Sequence, residues 1–106
     1  MKKLTTLCAI LLALNCMAKT VVASSLSAGE AGFAANCAGC HPGGENIVNP
    51  AKNLRMMTLR ANGILTAQDI IAKMRKPGAG MTRFDPKDLP DRQAREIAEY
   101  ILATFR

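Results

Sequence analysis

Two cysteines and the single histidine of the sequence lie together in the first half of the chain. Cys37 and Cys40 are separated by Ala38 and Gly39, and His41 follows directly. Two thiols at this spacing can form thioether bonds with the two vinyl groups on one edge of a porphyrin, and the next residue is then placed to bring an imidazole nitrogen to the iron. This C-x-x-C-H pattern is typical of c-type haem attachment. We therefore predict that Cys37 and Cys40 bind one haem covalently and that His41 is an axial iron ligand.

Three other uses of the two cysteines are weaker interpretations. A disulfide between Cys37 and Cys40 would close so short a loop that it would stabilise the fold little. A thioredoxin-like redox pair requires a βαβ context, and no strand pattern surrounds the two cysteines. A zinc site needs four ligands, whereas residues 24–106 contain only these two cysteines and the adjacent His41. The spacing and the composition therefore favour haem.

A haem iron held by one histidine takes a sixth ligand, and the thioether sulfur of methionine suits this position and raises the reduction potential. The candidates after the attachment pattern are Met56, Met57, Met74 and Met81. Met57 and Met74 fall on apolar helical faces, which favours a place in the core, and Met56 is less easily placed. Met81 ends the segment PGAGM at 77–81, which cannot be helical and whose glycines let the backbone cross the haem closely. We therefore predict Met81 as the second axial ligand.

The N-terminal residues have the features of an export signal. Two lysines precede an apolar stretch at 4–18, and the tripeptide VVA at 21–23 presents small residues to a signal peptidase. The apolar stretch is short for a membrane span, which needs about 20 residues. We therefore expect residues 1–23 to be cleaved and residues 24–106 to form one domain with no stable membrane insertion. An uncleaved membrane anchor is the alternative.

Removal of the signal changes the charge of the chain. The full sequence has 14 basic and 8 acidic residues and a net charge of +6. Three of the basic residues, Lys2, Lys3 and Lys19, lie in the signal, which leaves +3 for residues 24–106. Nucleic-acid-binding proteins show a dense basic stripe, and this sequence has none. A domain this short also has a thin hydrophobic core of its own, so a bound haem would fill its centre.

The remaining sequence predicts an all-α fold of four short helices around one haem. Four segments carry helix start or stop signals: a capping box at Ser27, a helix from Pro50 to about Ala61, a helix capped by Thr66 with Asp69, and a helix from Pro90 or Asp91. The last helix has an unbroken apolar stripe at i, i+3 and i+4 spacing, which comprises Ala94, Ile97, Ala98, Ile101, Leu102 and Phe105.

A longer set of residues extends the attachment pattern. It comprises Gly29-x-x-x-Phe33-x-x-x-Cys37-x-x-Cys40-His41, then Gly43-Gly44-x-Asn46-x-Val48-x-Pro50-x-Lys52-x-Leu54, Ile70-Ile71, the glycine-rich loop with Met81, and Ala98-Glu99-Tyr100. In these residues the chain resembles the class I c-type cytochromes, and specifically the cytochrome c6 family of cyanobacteria and algae. It resembles a divergent member, since Thr82 follows Met81 where the family has proline and Lys73 stands where many relatives have glutamine.

The resemblance implies the same haem attachment at Cys37 and Cys40 and the same axial ligands, His41 and Met81. It also implies that the first helix crosses the last, with Gly29 and Phe33 packing near Tyr100 and Ile101. Asn46 and Lys52 would lie near the haem edge or its loop. For Asn46, a turn residue in a glycine-rich loop is an equally good interpretation.

The predicted ligation favours a one-electron carrier over an enzyme, because an iron with both axial positions filled has no open site for a substrate. The resemblance implies the cytochrome bf complex as electron donor and photosystem I or a terminal oxidase as acceptor, in the thylakoid lumen or the bacterial periplasm. The alternative is a haem-based sensor or small-gas-binding module, in which Thr82 and the glycines beside Met81 loosen the iron–sulfur bond.

Overall fold

The computed structural model describes residues 24–106. Over this range the chain forms four α-helices and two short 3₁₀ turns, and no strand. In chain order these are α1 at 24–36, the turns Pro42–Gly44 and Pro50–Lys52, α2 at Met56–Ala61, α3 at Ala67–Arg75 and α4 at Asp91–Thr104. No helix in the described range is long and apolar enough to cross a bilayer. The predicted all-α architecture is confirmed, whereas the predicted signal at 1–23 lies outside the described residues.

The apolar core lies between α3 and α4. Its buried side chains come from all four helices and from the segment before α4: Phe33, Leu59, Ile70, Ile71, Met74, Leu89, Ala94, Ile97, Ala98 and Ile101. The predicted stripe of α4 is confirmed, with Leu102 and Phe105 partly buried against this core. The core is small, since Leu89 and Ile97 are its largest fully buried side chains.

Helices α1 and α4 cross closely at Gly29. A Cβ atom built on Gly29 would lie 2.2 Å from the carbonyl oxygen of Glu96 and 2.7 Å from Cβ of Tyr100. A side chain at this position would push the two helices apart, so the crossing depends on glycine. One turn along α1, the ring of Phe33 packs against that of Tyr100 with centroids 5.5 Å apart. The packing of α1 across α4 implied by the resemblance is therefore confirmed.

We expect Gly29→Ala to lower the free energy of unfolding of the holoprotein by about 1–3 kcal/mol, the range for overpacked sites. Alanine is the better helix former by about 1 kcal/mol, but its methyl group would meet the backbone of Glu96, which moves only if α4 moves. Urea unfolding followed by far-ultraviolet circular dichroism measures the change.

Two further glycines serve as controls for this prediction. A Cβ atom on Gly78 meets nothing within 4 Å, so Gly78→Ala should change stability by less than about 0.5 kcal/mol. A Cβ atom on Gly32 would lie 2.8 Å from Cγ1 of Ile97, a side-chain rather than a backbone atom, so Gly32→Ala should fall in between. A Gly29→Ala protein as stable as the Gly78→Ala protein would contradict the close crossing.

The helix predicted from Pro50 to Ala61 is interrupted. Asn53 has extended backbone angles, φ −73° and ψ 172°. Its side chain donates to the carbonyl oxygen of Pro50 at 3.1 Å and accepts from the amide of Arg55 at 3.1 Å. These local bonds replace those of a continuous helix, and α2 begins only at Met56. The predicted end of this helix is confirmed, with Asn62 as its C-cap and Gly63 at φ 73°.

Two side-chain assignments from the sequence are wrong. Met57, predicted to lie in the core, is 84% exposed, and Leu59 is buried instead. The break before α2 resets the helical phase, so the face inferred from one continuous helix does not exist. Ser27, predicted as an N-cap, lies inside α1, because the chain is already helical at Ser24. The S-A-G-E pattern is compatible with a helix interior as well as with a cap.

The predicted capping box of α3 is confirmed. Oγ1 of Thr66 accepts from the amide of Asp69 at 3.2 Å, and Oδ2 of Asp69 accepts from the amides of Leu65 and Thr66, each at 2.9 Å. The bond from the Leu65 amide, with those from Thr66, favours the ionised carboxylate and so lowers the pKa of Asp69 below its ordinary value of 3.8. The box thus fixes where α3 begins.

We expect the stabilising effect of Asp69 to depend on pH. Because its pKa is depressed in the folded protein, its contribution is complete above pH 3.8, the ordinary pKa, and is lost as the pH falls through the lower folded value. Asp69→Asn should therefore be less stable than the wild type at neutral pH, and the difference should narrow below pH 3.8. Thermal unfolding of both proteins across this range measures it, and a difference that stays constant would contradict the prediction.

Candidate haem site

The attachment pattern follows α1, and backbone hydrogen bonds fold it into a turn. The amide of Cys37 donates to the carbonyl oxygen of Phe33 at 2.8 Å, and the amides of Cys40 and His41 both donate to that of Cys37, at 3.2 and 2.9 Å. Cys37 is half-buried and Cys40 is exposed, and the two are separate thiols rather than a disulfide. Burial raises the pKa of the Cys37 thiol to about 11.

The ring of His41 is held in one orientation. Its Nδ1 lies 2.9 Å from the carbonyl oxygen of Glu45, and since a carbonyl oxygen only accepts, Nδ1 carries the proton and donates. The lone pair of the neutral ring is therefore on Nε2, which is the arrangement a metal ligand requires. Glu45 is itself anchored by an ion pair between its carboxylate and Arg55.

A cavity of about 550 Å³ lies between the attachment segment, α3 and the loop that follows α3. Cys37, Cys40, His41 and Met81 all line it. Most of its wall is apolar, formed by Leu54, Leu59, Ile64, Ile70, Met74, Phe84, Leu89 and Ile101. An apolar wall with a few convergent polar groups is the usual form of a cofactor pocket, and this one combines it with two thiols, an imidazole and a thioether. The residues present therefore fit a covalently bound porphyrin.

The cavity also separates the four methionine candidates. Met74 and Met81 are on its lining, whereas Met56 and Met57 are not. Met74 is 3% exposed and packs in the apolar core, as the sequence predicted, whereas Met81 is 38% exposed. The structure thus brings Met81 to the same cavity as His41, although the two residues come from distant segments of the chain.

Asn46 organises the loop between the attachment pattern and α2. Its Oδ1 accepts from the amides of Val48 and Asn49 at 3.0 and 2.9 Å, and its Nδ2 donates to the carbonyl oxygen of Lys52 at 2.9 Å. Asn46 also lines the cavity. Asn46 is therefore a turn residue, as one of the two interpretations predicted, and it also lies at the cavity, as the other predicted.

The lysines and acidic residues are unevenly distributed around the cavity. Within the described residues, Lys52 and Lys73 line it and no aspartate or glutamate does. Lys73 lies on the face of α3 that also carries Ile70 and Met74, at i, i+3 and i+4 spacing. Positive charge near the porphyrin attracts its ionised carboxylates and favours the ferrous state of the iron, which carries one positive charge less than the ferric state. Lys73, which stands where many relatives have glutamine, therefore lines the cavity.

A contact of Gly44 was not anticipated from the sequence. Gly44 has φ +82°, and a Cβ atom there would lie 2.6 Å from the ring of Phe105. The amide of Met56 donates to the carbonyl oxygen of Phe105 at 2.8 Å, and that of Leu54 to the carbonyl oxygen of Gly44 at 2.7 Å. The C-terminal residues thus brace the loop that follows the attachment pattern. The pair Gly43-Gly44 indicates a turn, but nothing in the neighbouring sequence indicates that Phe105 packs against it.

Comparisons with known proteins identify the family of the chain. A family model described as cytochrome c oxidase, cbb3-type, subunit III matches residues 24–101. Cytochrome c6 of Synechocystis sp. is 37% identical over 86 residues, which cover 81% of this chain and 71% of that protein. Cytochrome c6 of Rippkaea orientalis is 42% identical over 82 residues, covering 77% of this chain and 73% of that protein.

Solved structures give the same result. The outer membrane cytochrome F, OmcF, from Geobacter sulfurreducens is 45% identical with a TM-score of 0.72, covering 74% of this chain and 99% of that chain. Cytochrome c6 from the diatom Phaeodactylum tricornutum is 36% identical with a TM-score of 0.67, covering 74% and 91%. The predicted fold, family and haem c cofactor are therefore confirmed. The chain belongs to the family whose model it matches, and it is a class I c-type cytochrome that resembles cytochrome c6 and carries one covalently bound haem c.

Proposed function

We propose that this haem c electron carrier holds its haem through Cys37 and Cys40 and its iron between His41 and Met81, and that it transfers single electrons. The observation that carries the proposal is the shared cavity, since the four residues selected from their types and positions in the sequence all line it. When bound, the haem supplies an iron that alternates between the ferrous and ferric states. Each of the two thiols would add across one vinyl group of the porphyrin, with its hydrogen going to the other vinyl carbon, so that no atom would be lost when a thioether formed.

The exposed apolar residues at the cavity support electron exchange by contact rather than catalysis. Val48 and Met81 line the cavity and are 59% and 38% exposed, and Ile47 beside Val48 is 63% exposed. Redox partners meet through small and transient interfaces, and an apolar rim of this kind suits such an encounter. With His41 and Met81 on the iron, no coordination position is left for a substrate. We therefore assign no catalytic residue and propose that the protein is not an enzyme.

The proposed partners come from the resemblance to cytochrome c6. They are the cytochrome bf complex as donor and photosystem I or a terminal oxidase as acceptor, and the proposed compartment is the thylakoid lumen or the periplasm. OmcF is named as an outer membrane cytochrome, and this relative supports export to the periplasmic side. Mass determination of the exported protein tests the proposed cleavage after residue 23, and flash-induced oxidation by photosystem I tests that acceptor.

A gas-binding or sensor function is the second candidate, and the loop around Met81 favours it. Thr82 replaces the proline of the family, and the amide of Met81 makes only a long bond, 3.4 Å, to the carbonyl oxygen of Gly78. Carbon monoxide added to the ferrous holoprotein separates the two functions. A carrier with a lasting Met81 bond binds the gas slowly and weakly, whereas rapid and tight binding would overturn the carrier proposal and support the sensor.

A further inference from the structure

The segment 76–83, which carries Met81, has few hydrogen bonds of its own. The bond from the Met81 amide to the carbonyl oxygen of Gly78, at 3.4 Å, is the longest of the backbone–backbone bonds in turns and loops of the described range. A Cβ atom built on Gly78 would have no neighbour within 4 Å, and Met81 and Thr82 are both exposed. A loop of this kind has little internal stiffness, so the position of Met81 depends on how its two ends are held.

Both ends of this segment meet at the C-terminal turn of α3. The amide of Phe84 donates to the carbonyl oxygen of Met74 at 2.9 Å. In the reverse direction, Nη1 of Arg75 donates to the carbonyl oxygen of Phe84 at 2.9 Å. The two bonds fasten Phe84, the residue directly after the segment, to the two residues that end α3. We call this arrangement of Met74, Arg75 and Phe84 the neck of the Met81 loop.

Arg75 also joins the neck to α4. Its Nη2 lies 2.7 Å from Oδ1 of Asp91, the first residue of α4. The side chain of Arg75 is only 19% exposed, whereas that of Asp91 is 84% exposed. Bonds from a charged, partly buried guanidinium are stronger than bonds between neutral groups. One side chain thus ties α3, the end of the Met81 loop and the start of α4 together.

We infer that Arg75 is a positioning residue for the axial methionine, and that the neck it closes keeps Met81 on the iron. The inference rests on the proposed function, because it takes Met81 as the ligand. With the neck closed, the loop confines the thioether to the cavity, so that a dissociated sulfur returns before another ligand enters. With the neck open, the loop gains freedom and an added ligand competes more successfully.

Imidazole binding to the ferric holoprotein tests this inference, because imidazole enters only when the methionine leaves. Arg75→Ala should raise the affinity for imidazole about tenfold or more, since it removes two charge-assisted bonds. Arg75→Lys, which can reach only one of the two acceptors, should have a smaller effect. Arg83→Ala is the matched control, because it removes the same charge from within the loop but breaks only an exposed pair with Asp85; it should change the affinity less than about twofold.

Two further measurements make the outcome decisive. Urea unfolding of each variant is followed in parallel, since a merely structural role for Arg75 would lower the unfolding midpoint and leave imidazole affinity of the folded protein unchanged. Asp91→Asn leaves the bond from Arg75 to Phe84 in place and weakens only the bond from Arg75 to α4. This variant tests whether Arg75 must be held in place even if the Arg75→Ala protein does not mature. It should raise the affinity for imidazole severalfold. Unchanged affinity in Asp91→Asn and in either Arg75 variant would overturn the inference.

Failure of this inference is distinguishable from failure of the proposed function. Met81→Ala should bind imidazole freely, because no intrinsic ligand then competes. If it does so while the Arg75 variants match the wild type, the neck inference alone is wrong. If Met81→Ala has the wild-type affinity, Met81 is not the ligand, and the proposed ligation is wrong whatever the Arg75 variants show.

Discussion

Replacing Met81 with alanine is expected to lower the reduction potential of the holoprotein by on the order of a few hundred millivolts, a substantial part of the range that axial ligands control. A thioether stabilises ferrous iron, and the water or hydroxide that would replace it favours the ferric state. The ferrous variant should also bind carbon monoxide rapidly. A spectroelectrochemical titration measures the potential, and loss of the methionine–iron charge-transfer band in the near infrared reports the missing bond.

The matched control is Met74→Leu. Met74 lines the same cavity but is 3% exposed within the core, so the substitution removes a thioether and keeps nearly the same volume. We expect its charge-transfer band to remain, with a loss of stability below about 1.5 kcal/mol. Were the band to vanish in Met74→Leu and persist in Met81→Ala, the axial ligand would be Met74 and the proposed site would be wrong.

Loss of both cysteines of the attachment pattern is expected to abolish covalent haem attachment. Cys37 and Cys40 are the thiols on the cavity lining, so the double variant Cys37→Ala/Cys40→Ala has no sulfur from which a thioether can form there. Each single variant should retain one thioether. Mass spectrometry of the denatured wild type should show the polypeptide plus one haem, whereas the double variant should show the polypeptide alone, with its haem extracted by acidified organic solvent.

Cys16→Ala is the control for this experiment, because Cys16 lies in the predicted signal. It should leave the mass of the mature protein unchanged and its haem attached. A double variant that still carried haem through denaturation would show that another residue forms the covalent bond. The His41→Ala variant is informative beside it, since its thioethers should form while the imidazole bond to the iron is missing.

Features that depend on neighbouring residues were predictable from the sequence. The C-x-x-C-H pattern, the capping box at Thr66 and Asp69, and the apolar stripe of α4 each depend on residues in the same or adjacent turns, where spacing alone determines which groups meet. The position of Met81 outside any helix was predictable for a related reason, since its glycine-rich segment excludes a helix. In all these cases the interacting residues are close in the sequence, so the local sequence is enough to predict the feature.

Features that depend on distant residues were not predictable in this way. Arg75 acquires its role from a carbonyl oxygen at Phe84 and a carboxylate at Asp91, neither of which its sequence neighbourhood indicates. Gly44 similarly owes its tight packing to Phe105. The wrong assignment of Met57 had a different cause, because the side chain of Asn53 competes for backbone hydrogen bonds and breaks the helix from which the apolar face was inferred.

The small size of the protein core has a consequence for the order in which the molecule matures. Leu89 and Ile97 are the largest side chains that are fully buried, so a porphyrin bound in the cavity would be the largest apolar group in the interior. Because its burial stabilises only the folded form, attachment and folding are thermodynamically linked, and the polypeptide alone gains little from collapsing. Complete folding is therefore expected to follow attachment of the haem rather than to precede it.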